Sequence, residues 1–463
     1  MKHLFRHETW ILLAAAIAFF TNLGATRLWD EDESFFAATA AEMHDRGEWT
    51  VPYFNGELFS HKPPFMYWMM LAGYEMFGDN EFAVRFWSAI FGVATALLTY
   101  YIGRRLFCAE VGLWAGLAMT SALMFDVVAR AATADSYLVF FSALALYAFI
   151  RGSQRHNPAA WAGEATEPAA GGQHPLLPVT WWPYAAMYAA MGLAVLVKGP
   201  IGVLLPTASI GLFLLCTAPG PAIAAGETRW ARLGRAMSIF HPRLFFSTIW
   251  QMRPLTALAM VAVVAGPWFV AVSLRTGGTF VLEFLGIHNF GRFVNSMDGY
   301  SGPFFYYLPV IMIGFFPWSI FALQMLRDNM QRIRGGDRWR TACIFVACWA
   351  GVFIGFFSLA STKLPNYVLP AYPALALMTA CFLHRWIHQT ATVPAGWIRS
   401  ALGTFTAVGV LLVVVCPVLG FWRVGNESLL ESLGVSAAVS RQLPWAGGII
   451  GAAPLLGGLV ALY

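Results

Sequence analysis

Apolar windows recur along the chain, at 10–25, 82–103, 111–126, 136–150, 181–197, 200–217, 254–274, 304–326, 341–360, 367–384, 400–421 and 444–462. A helix needs ~20 apolar residues to cross the hydrocarbon core of a bilayer, so the pattern predicts about twelve spans. Hydrophilic gaps separate them at 27–81, 151–180, 219–253, 275–303, 327–340, 385–399 and 422–443. The expected fold class is therefore all-α, a polytopic integral membrane protein, because a helix satisfies its own backbone polar groups in lipid. The first window follows a basic start, Lys2 and Arg6, and runs into Gly24-Ala25-Thr26, a weak cleavage site. It reads as a retained first helix. Within the first gap, Phe35 to Met43 shows a helical period, with Phe35, Phe36, Thr39, Ala40 and Met43 on one side. That predicts an amphipathic helix at the membrane surface.

Composition agrees with the pattern. The 463 residues are 58% hydrophobic and only 11% charged, against about 25% charged in soluble proteins. A soluble globule and a disordered chain are both excluded. The six cysteines lie in or beside apolar stretches without metal-ligand spacing, so no disulfide framework is expected. No internal repeat or separate soluble domain appears. The chain reads as one membrane domain, 1–463, with no soluble C-terminal domain and two large outer loops, 27–81 and 275–303.

Charge then orients it. With the N-terminus in the cytoplasm, most of the 29 basic residues fall inside, among them Arg104, Arg105, Arg151, Arg332 and Arg385. Most of the 24 acids fall outside. The proline- and glycine-containing segment 151–180 becomes a cytoplasmic loop. The Arg-rich stretch 219–253, interleaved with apolar residues, suits an interface held by anionic lipid better than a nucleic-acid site.

The outer charges are the candidate chemistry. Asp30, Glu31, Asp32 and Glu33 form a run at the start of the predicted surface helix; such a run is either a solvated helix cap or part of a site. There are only four lysines. Three sit in Pro/Gly contexts at predicted outer helix ends: His61-Lys62-Pro63-Pro64, Val197-Lys198-Gly199-Pro200 and Thr362-Lys363-Leu364-Pro365. Positive charge is disfavoured outside, and a compact ammonium suits a phosphate oxygen. Interfacial snorkelling is the alternative. Asp135 stands at membrane depth, a position where ionisable groups are functional candidates. Asp126 has Arg130 four residues on as an expected partner. Arg292 has the geometry to fork onto a phosphate or carboxylate, and His61 with His288 is a candidate divalent-metal pair, or else two structural histidines.

In order along the chain, these motifs resemble the bacterial lipid-linked-sugar glycosyltransferases of the GT-C class, PMT/ArnT-like branch. The matched residues are Asp32-Glu33-Ser34-Phe35-Phe36-Ala37 with Glu42-Met43, Gly47-Glu48-Trp49-Thr50-Val51-Pro52, His61-Lys62-Pro63-Pro64 with Tyr67-Trp68, Phe77-Gly78 and Val84-Arg85. Asp135, Lys198-Gly199-Pro200, Arg292-Phe293, Pro303-Phe304-Phe305-Tyr306-Tyr307-Leu308-Pro309 and Ser361 to Pro370 follow, the last including Asn366-Tyr367.

The resemblance implies a GT-C fold in a bacterial inner membrane, with the active site facing the periplasm. It implies a polyprenyl-phosphate sugar donor and a lipid, glycan or protein acceptor, with no nucleotide and no nucleic acid. Asp32 matches the family's catalytic aspartate, a general base for inverting attack, with Glu33 beside it and Asp135 as a second cavity acid. Lys62, Lys198, Arg292 and Lys363 are implied donor-phosphate ligands. His61, Tyr67, Tyr306, Asn366 and Tyr367 are implied substrate contacts. Position 61 is His where lipid A-modifying relatives usually carry a carboxylate, so the sugar and acceptor do not carry over. A transporter or flippase of lipid-linked glycans is the competing reading. It predicts broken helices and internal pseudo-symmetry, neither visible in the sequence.

Overall fold

A computed structural model describes residues 2–29, 32–163, 173–218, 241–296, 299–391 and 393–421, with two short stretches at 423–424 and 427–428. The window expected at 444–462 and residues 219–240 of the Arg-rich stretch lie outside these. Among the described residues, six helices are long and apolar enough to cross a membrane: Glu81–Leu106, Asp135–His156, Pro254–Thr276, Arg340–Leu359, Pro365–Ile387 and Ala395–Val415. The windows at 10–25 and 200–217 form shorter apolar helices, His7–Phe20 and Ile201–Thr217. The window at 181–197 forms the Trp181–Lys198 helix.

The remaining two windows are bent. Ala109–Ser121 meets Leu123–Ala129 at 66°, and Tyr307–Gly314 meets Trp318–Gly335 at 118°. Length and composition thus give six spans, or eight counting each bent pair as one, where the hydropathy pattern alone suggests a dozen. The breaks also correct the expectation of unbroken helices. They pack on each other: Leu123 N donates to Phe316 O at 3.0 Å, and Trp318 Nε1 donates to Ser121 Oγ at 3.0 Å. The backbone donor of Leu123 at one break is therefore satisfied by a carbonyl at the other, as an apolar surround requires.

Close packing of the bundle relies on small residues. At the turn between Glu81–Leu106 and Ala109–Ser121, a Cβ on Gly112 would lie 2.5 Å from Tyr100 O. Glycine there lets two backbones approach without a side chain between them.

The first long gap, 27–81, holds two helices. Asp32–Asp45 is the expected surface helix. Its buried face is Glu33, Phe36, Ala37, Thr39, Ala40 and Met43, whereas Phe35, expected on that face, is exposed. Phe65–Phe77 is apolar and 13 residues long, so it reaches only ~20 Å and is too short to span.

One buried ion pair fastens this loop to the bundle. Glu33 and Arg85 are both sequestered from solvent. Arg85 Nε donates to Glu33 Oε1 at 2.9 Å, and its Nη2 donates to Glu33 Oε2 at 2.7 Å. The guanidinium also donates to the carbonyls of Leu23, Thr26 and Arg27. Glu33 in turn accepts from the backbone N–H groups of Trp29 and Ala132. Every strong hydrogen-bonding direction of the pair is used, the condition under which a buried ion pair repays its desolvation.

Removing one partner strands the other charge. Arg85→Ala is expected to destabilise the protein by about 3–5 kcal/mol, read as a fall in thermal unfolding temperature in detergent micelles. Glu33→Leu combined with Arg85→Met should recover most of that loss. A double variant as unstable as the single one would show that the charges are not the source of the effect.

Candidate active site

The site is assembled from loops that the helices deliver to one end of the bundle. The first is set by a hairpin. Tyr53–Phe54 pairs antiparallel with Glu57–Leu58, across Asn55-Gly56 with φ of 53° and 81°. An Asn-Gly pair is the sequence that adopts such a turn most readily. That turn signal is present in the sequence itself. The turn is pinned by Gly56 N donating to Glu42 Oε1 at 3.0 Å, and the returning strand leads into Ser60-His61-Lys62. Ser60 Oγ donates to Glu283 Oε2 at 2.7 Å, which ties the 27–81 loop to the Thr279–Leu285 helix. His61 stacks on Phe59 with ring centroids 4.2 Å apart, and the His288 ring lies 4.3 Å from it.

The second part is the Lys198-Gly199-Pro200 corner. Gly199 has φ of 79°, and a Cβ there would lie 2.6 Å from the Phe284 ring. Only glycine fits this conformation and contact, and Pro200 starts the next helix. The corner leaves Lys198 at a helix end facing Asp135. Lys198 Nζ donates to Asp135 Oδ1 at 2.5 Å, Asn366 Nδ2 donates to Asp135 Oδ2 at 2.7 Å, and Lys198 Nζ lies 4.7 Å from the Tyr367 ring centroid. Asp135 is thus matched by a lysine 63 residues away in sequence. Arg130 donates instead to the carbonyls of Ala18 and Thr21, and no Asp126–Arg130 ion pair occurs among the described residues.

The third part is the loop after Leu285. It is bonded to the 361–363 segment: Thr362 N donates to Arg292 O, and Lys363 N to Tyr300 O. Together these loops enclose a cavity of about 480 Å³. Its polar end carries Lys62, Lys198, Arg292, His61 and His288, and its wall is apolar, including Ile201, Leu204, Phe284, Phe290 and Phe357. Tyr367 also lines it. Cations beside an apolar wall suit a ligand with an anionic head and a hydrocarbon tail.

The other expected residues lie elsewhere. Asp135 and Asn366 stand behind Lys198. Asp32 is exposed at the start of its helix and contributes to the electrostatic field at Lys62. Glu33, expected beside it in the chemistry, has both oxygens committed to Arg85. Lys363 is buried and donates to the carbonyls of Ser358 at 2.8 Å and Ala360 at 2.6 Å, so it closes the end of the Arg340–Leu359 helix and is not among the cavity-lining residues. Tyr67 is fully buried against Phe36, and Tyr306 packs on Tyr307 outside the cavity. For the histidine pair, no third His, Cys, Asp or Glu completes a three-donor set among the described residues. These two rings alone do not make a metal centre.

Burial, and after it the neighbouring cations, shift two of these groups. Burial first, then Lys198 and Arg292, pull the Lys62 ammonium down to about 7, against the opposing fields of Asp135 and Asp32. Burial, followed by His288, Lys62 and Arg292, lowers His61 to about 3, so it is neutral at physiological pH.

A family profile described as dolichyl-phosphate-mannose-protein mannosyltransferase matches residues 61–169. An uncharacterized protein of Aquifex aeolicus is 28% identical over 379 residues, covering 81% of this chain and 63% of that protein. The undecaprenyl phosphate-alpha-4-amino-4-deoxy-L-arabinose arabinosyl transferase of Erwinia tasmaniensis is 26% identical, covering 98% of this chain and 72% of the enzyme. The crystal structure of ArnT from Cupriavidus metallidurans bound to undecaprenyl phosphate superimposes with a TM-score of 0.70 at 24% identity, over 98% of this chain and 71% of that one. The chain is PMT/ArnT-like, with a GT-C fold. Relative to these PMT/ArnT-like proteins it spans roughly two-thirds of their length.

A lysine near 7 links ligand binding to pH. Phosphate stabilises the charged ammonium, so its pKa rises on binding, and affinity is lost as pH climbs above the free value. Between pH 7 and 9, wild-type affinity for undecaprenyl phosphate should fall relative to Lys62→Arg, approaching ~tenfold per pH unit while Lys62 titrates. Titration calorimetry in detergent measures both. Parallel pH curves would remove Lys62 from the phosphate site.

Proposed function

We propose that the protein is a membrane glycosyltransferase. It moves a sugar from a polyprenyl-phosphate donor to a lipid, glycan or protein acceptor at the periplasmic face of a bacterial inner membrane, with its N-terminus in the cytoplasm. The observation that carries this reading is the cavity, which joins Lys62, Lys198 and Arg292 to an aromatic and aliphatic wall. Support comes from the fold, shared with an ArnT crystallised with undecaprenyl phosphate, and from relatives named as arabinosyl transferases using such a donor. In this reading the donor phosphate meets the three cations and its prenyl tail follows the aromatic side chains of the wall.

In the proposed reaction Asp32 accepts a proton from the acceptor nucleophile as that nucleophile attacks the anomeric carbon. The bond from this carbon to the phosphate oxygen breaks, with inversion, and polyprenyl phosphate leaves. Negative charge grows on the phosphate as it departs, and Lys62, Lys198 and Arg292 stabilise it most at that stage. Asp135 with Asn366 holds Lys198 in position, and Glu33 serves by anchoring the helix that begins at Asp32. Lys363 acts as a loop closure.

Asp32→Asn should reduce transfer at least ~100-fold, the usual contribution of a general base, while donor affinity in reconstituted vesicles stays within a few-fold of wild type. Full turnover in this variant would sink the assignment. Comparing glycolipids and glycoproteins by mass spectrometry, with and without the protein, identifies the acceptor.

A further inference from the structure

A second cluster of chemistry-bearing side chains stands at the opposite end of the bundle. The Glu81–Leu106 helix starts near the Arg85 clasp, and after it the chain turns into Ala109–Ser121. The segment from Pro365 to Ile387 likewise starts beside Asp135, through Asn366, and ends at His388. Helices of this length carry the far ends some ~25–40 Å from the cavity. There Glu110, in the first turn of its helix, meets His384 and His388.

The two histidines are four residues apart, and His388 N donates to His384 O at 3.1 Å. Both rings therefore rise from one helical face, the spacing by which a helix offers two imidazoles to one metal ion. Their ring centroids are 4.5 Å apart. Both approach the same carboxylate oxygen: His388 Nε2 lies 2.9 Å and His384 Nδ1 3.2 Å from Glu110 Oε2. In a tetrahedral site with bonds of ~2.0–2.1 Å, donor atoms are ~3.3 Å apart, close to both separations.

Both rings stand in ion-pair reach of Glu110, but the two contacts differ in alignment. His388 is hydrogen-bonded to Glu110. His384 Nδ1 is inaccessible to solvent and lies 3.2 Å from Glu110 Oε2 without the alignment of a regular hydrogen bond. A buried ring nitrogen without an aligned hydrogen bond is costly, and a metal ion at the centre of the three donors would use its lone pair. Exposure increases from His384 through Glu110 to His388. The cluster is thus open to solvent on the His388 side.

We propose that Glu110, His384 and His388 form a binding site for a divalent transition-metal ion of the zinc class. Two imidazoles and one carboxylate suit zinc or cobalt rather than calcium or magnesium. The bound ion links the start of the Ala109–Ser121 helix to the end of the Tyr372–Ile387 helix and leaves the sugar-transfer site untouched.

The test uses full-length protein in detergent, purified without a histidine tag and stripped with chelator. Co²⁺ is titrated in, followed by Zn²⁺ competition. Wild type should bind one Co²⁺ per chain with the visible absorption of a tetrahedral complex, and so should His61→Gln/His288→Gln, which lacks the outer histidine pair. His388→Gln alters an exposed side chain, so it should fold normally. It should lose at least ~100-fold in Co²⁺ affinity, because ligand loss removes binding free energy directly. Zn²⁺ should raise the unfolding temperature of wild type but not of His388→Gln. Unchanged Co²⁺ binding in His388→Gln, binding lost only in the outer-pair variant, or no saturable binding by wild type would each overturn the proposal.

Discussion

The architecture of the site depends on one buried carboxylate–guanidinium contact. Glu33 and Arg85 are 52 residues apart in sequence, and their shared hydrogen bonds collect the end of the first helix, the start of the surface helix, a long spanning helix and the backbone at Ala132. In a low-dielectric surround, two charges stay together only if nearly every donor and acceptor direction is filled. That requirement fixes where the surface helix begins and therefore where Asp32 stands. Asp135 is three residues beyond Ala132, so the same contact bears on both Asp32 and Asp135.

The cavity shows how charge is rationed. Lys198 is neutralised by Asp135, and Asn366 occupies the second carboxylate oxygen. Lys363 has been withdrawn to a helix end. What remains at the apolar wall is Lys62 beside Arg292, with no carboxylate in ion-pair contact with Lys62 among the described residues. An ammonium placed against Phe36, with its Nζ 5.7 Å from the ring centroid, gains from the ring quadrupole but stays only partly compensated. In the proposed reading the donor phosphate supplies what is missing.

Much of this was legible in the sequence. Hydropathy gave the class, and the scarcity of charge pointed to the outer lysines and acids. It failed where two adjacent or similar residues take opposite duties. Asp32 and Glu33 are neighbours, yet the helix phase that buries Phe36, Ala37 and Ala40 turns Glu33 inward and Asp32 outward. Placing Phe35 on the buried face shifted that phase by enough to obscure the difference. Lys62 and Lys363 share a Pro-rich context, but only the tertiary structure shows that Lys363 spends its ammonium on the carbonyls of Ser358 and Ala360. The bent pairs escaped because hydropathy measures apolarity, not direction. The His384/His388 spacing can be read from the sequence; Glu110, 274 positions earlier, joins it only through the packing of two helices.

The wall of the cavity does not stop at an enclosed surface. Leu204, Phe290 and Phe293 line it and are also among the exposed large apolar side chains. A hydrocarbon chain lying along them would pass from protein to acyl chains without crossing water. Its encounter with the pocket would then be a search in two dimensions, governed by its mole fraction in the leaflet rather than by its bulk concentration. Membrane composition, through lipid crowding and viscosity, would set the rate of capture as directly as any residue of the chain.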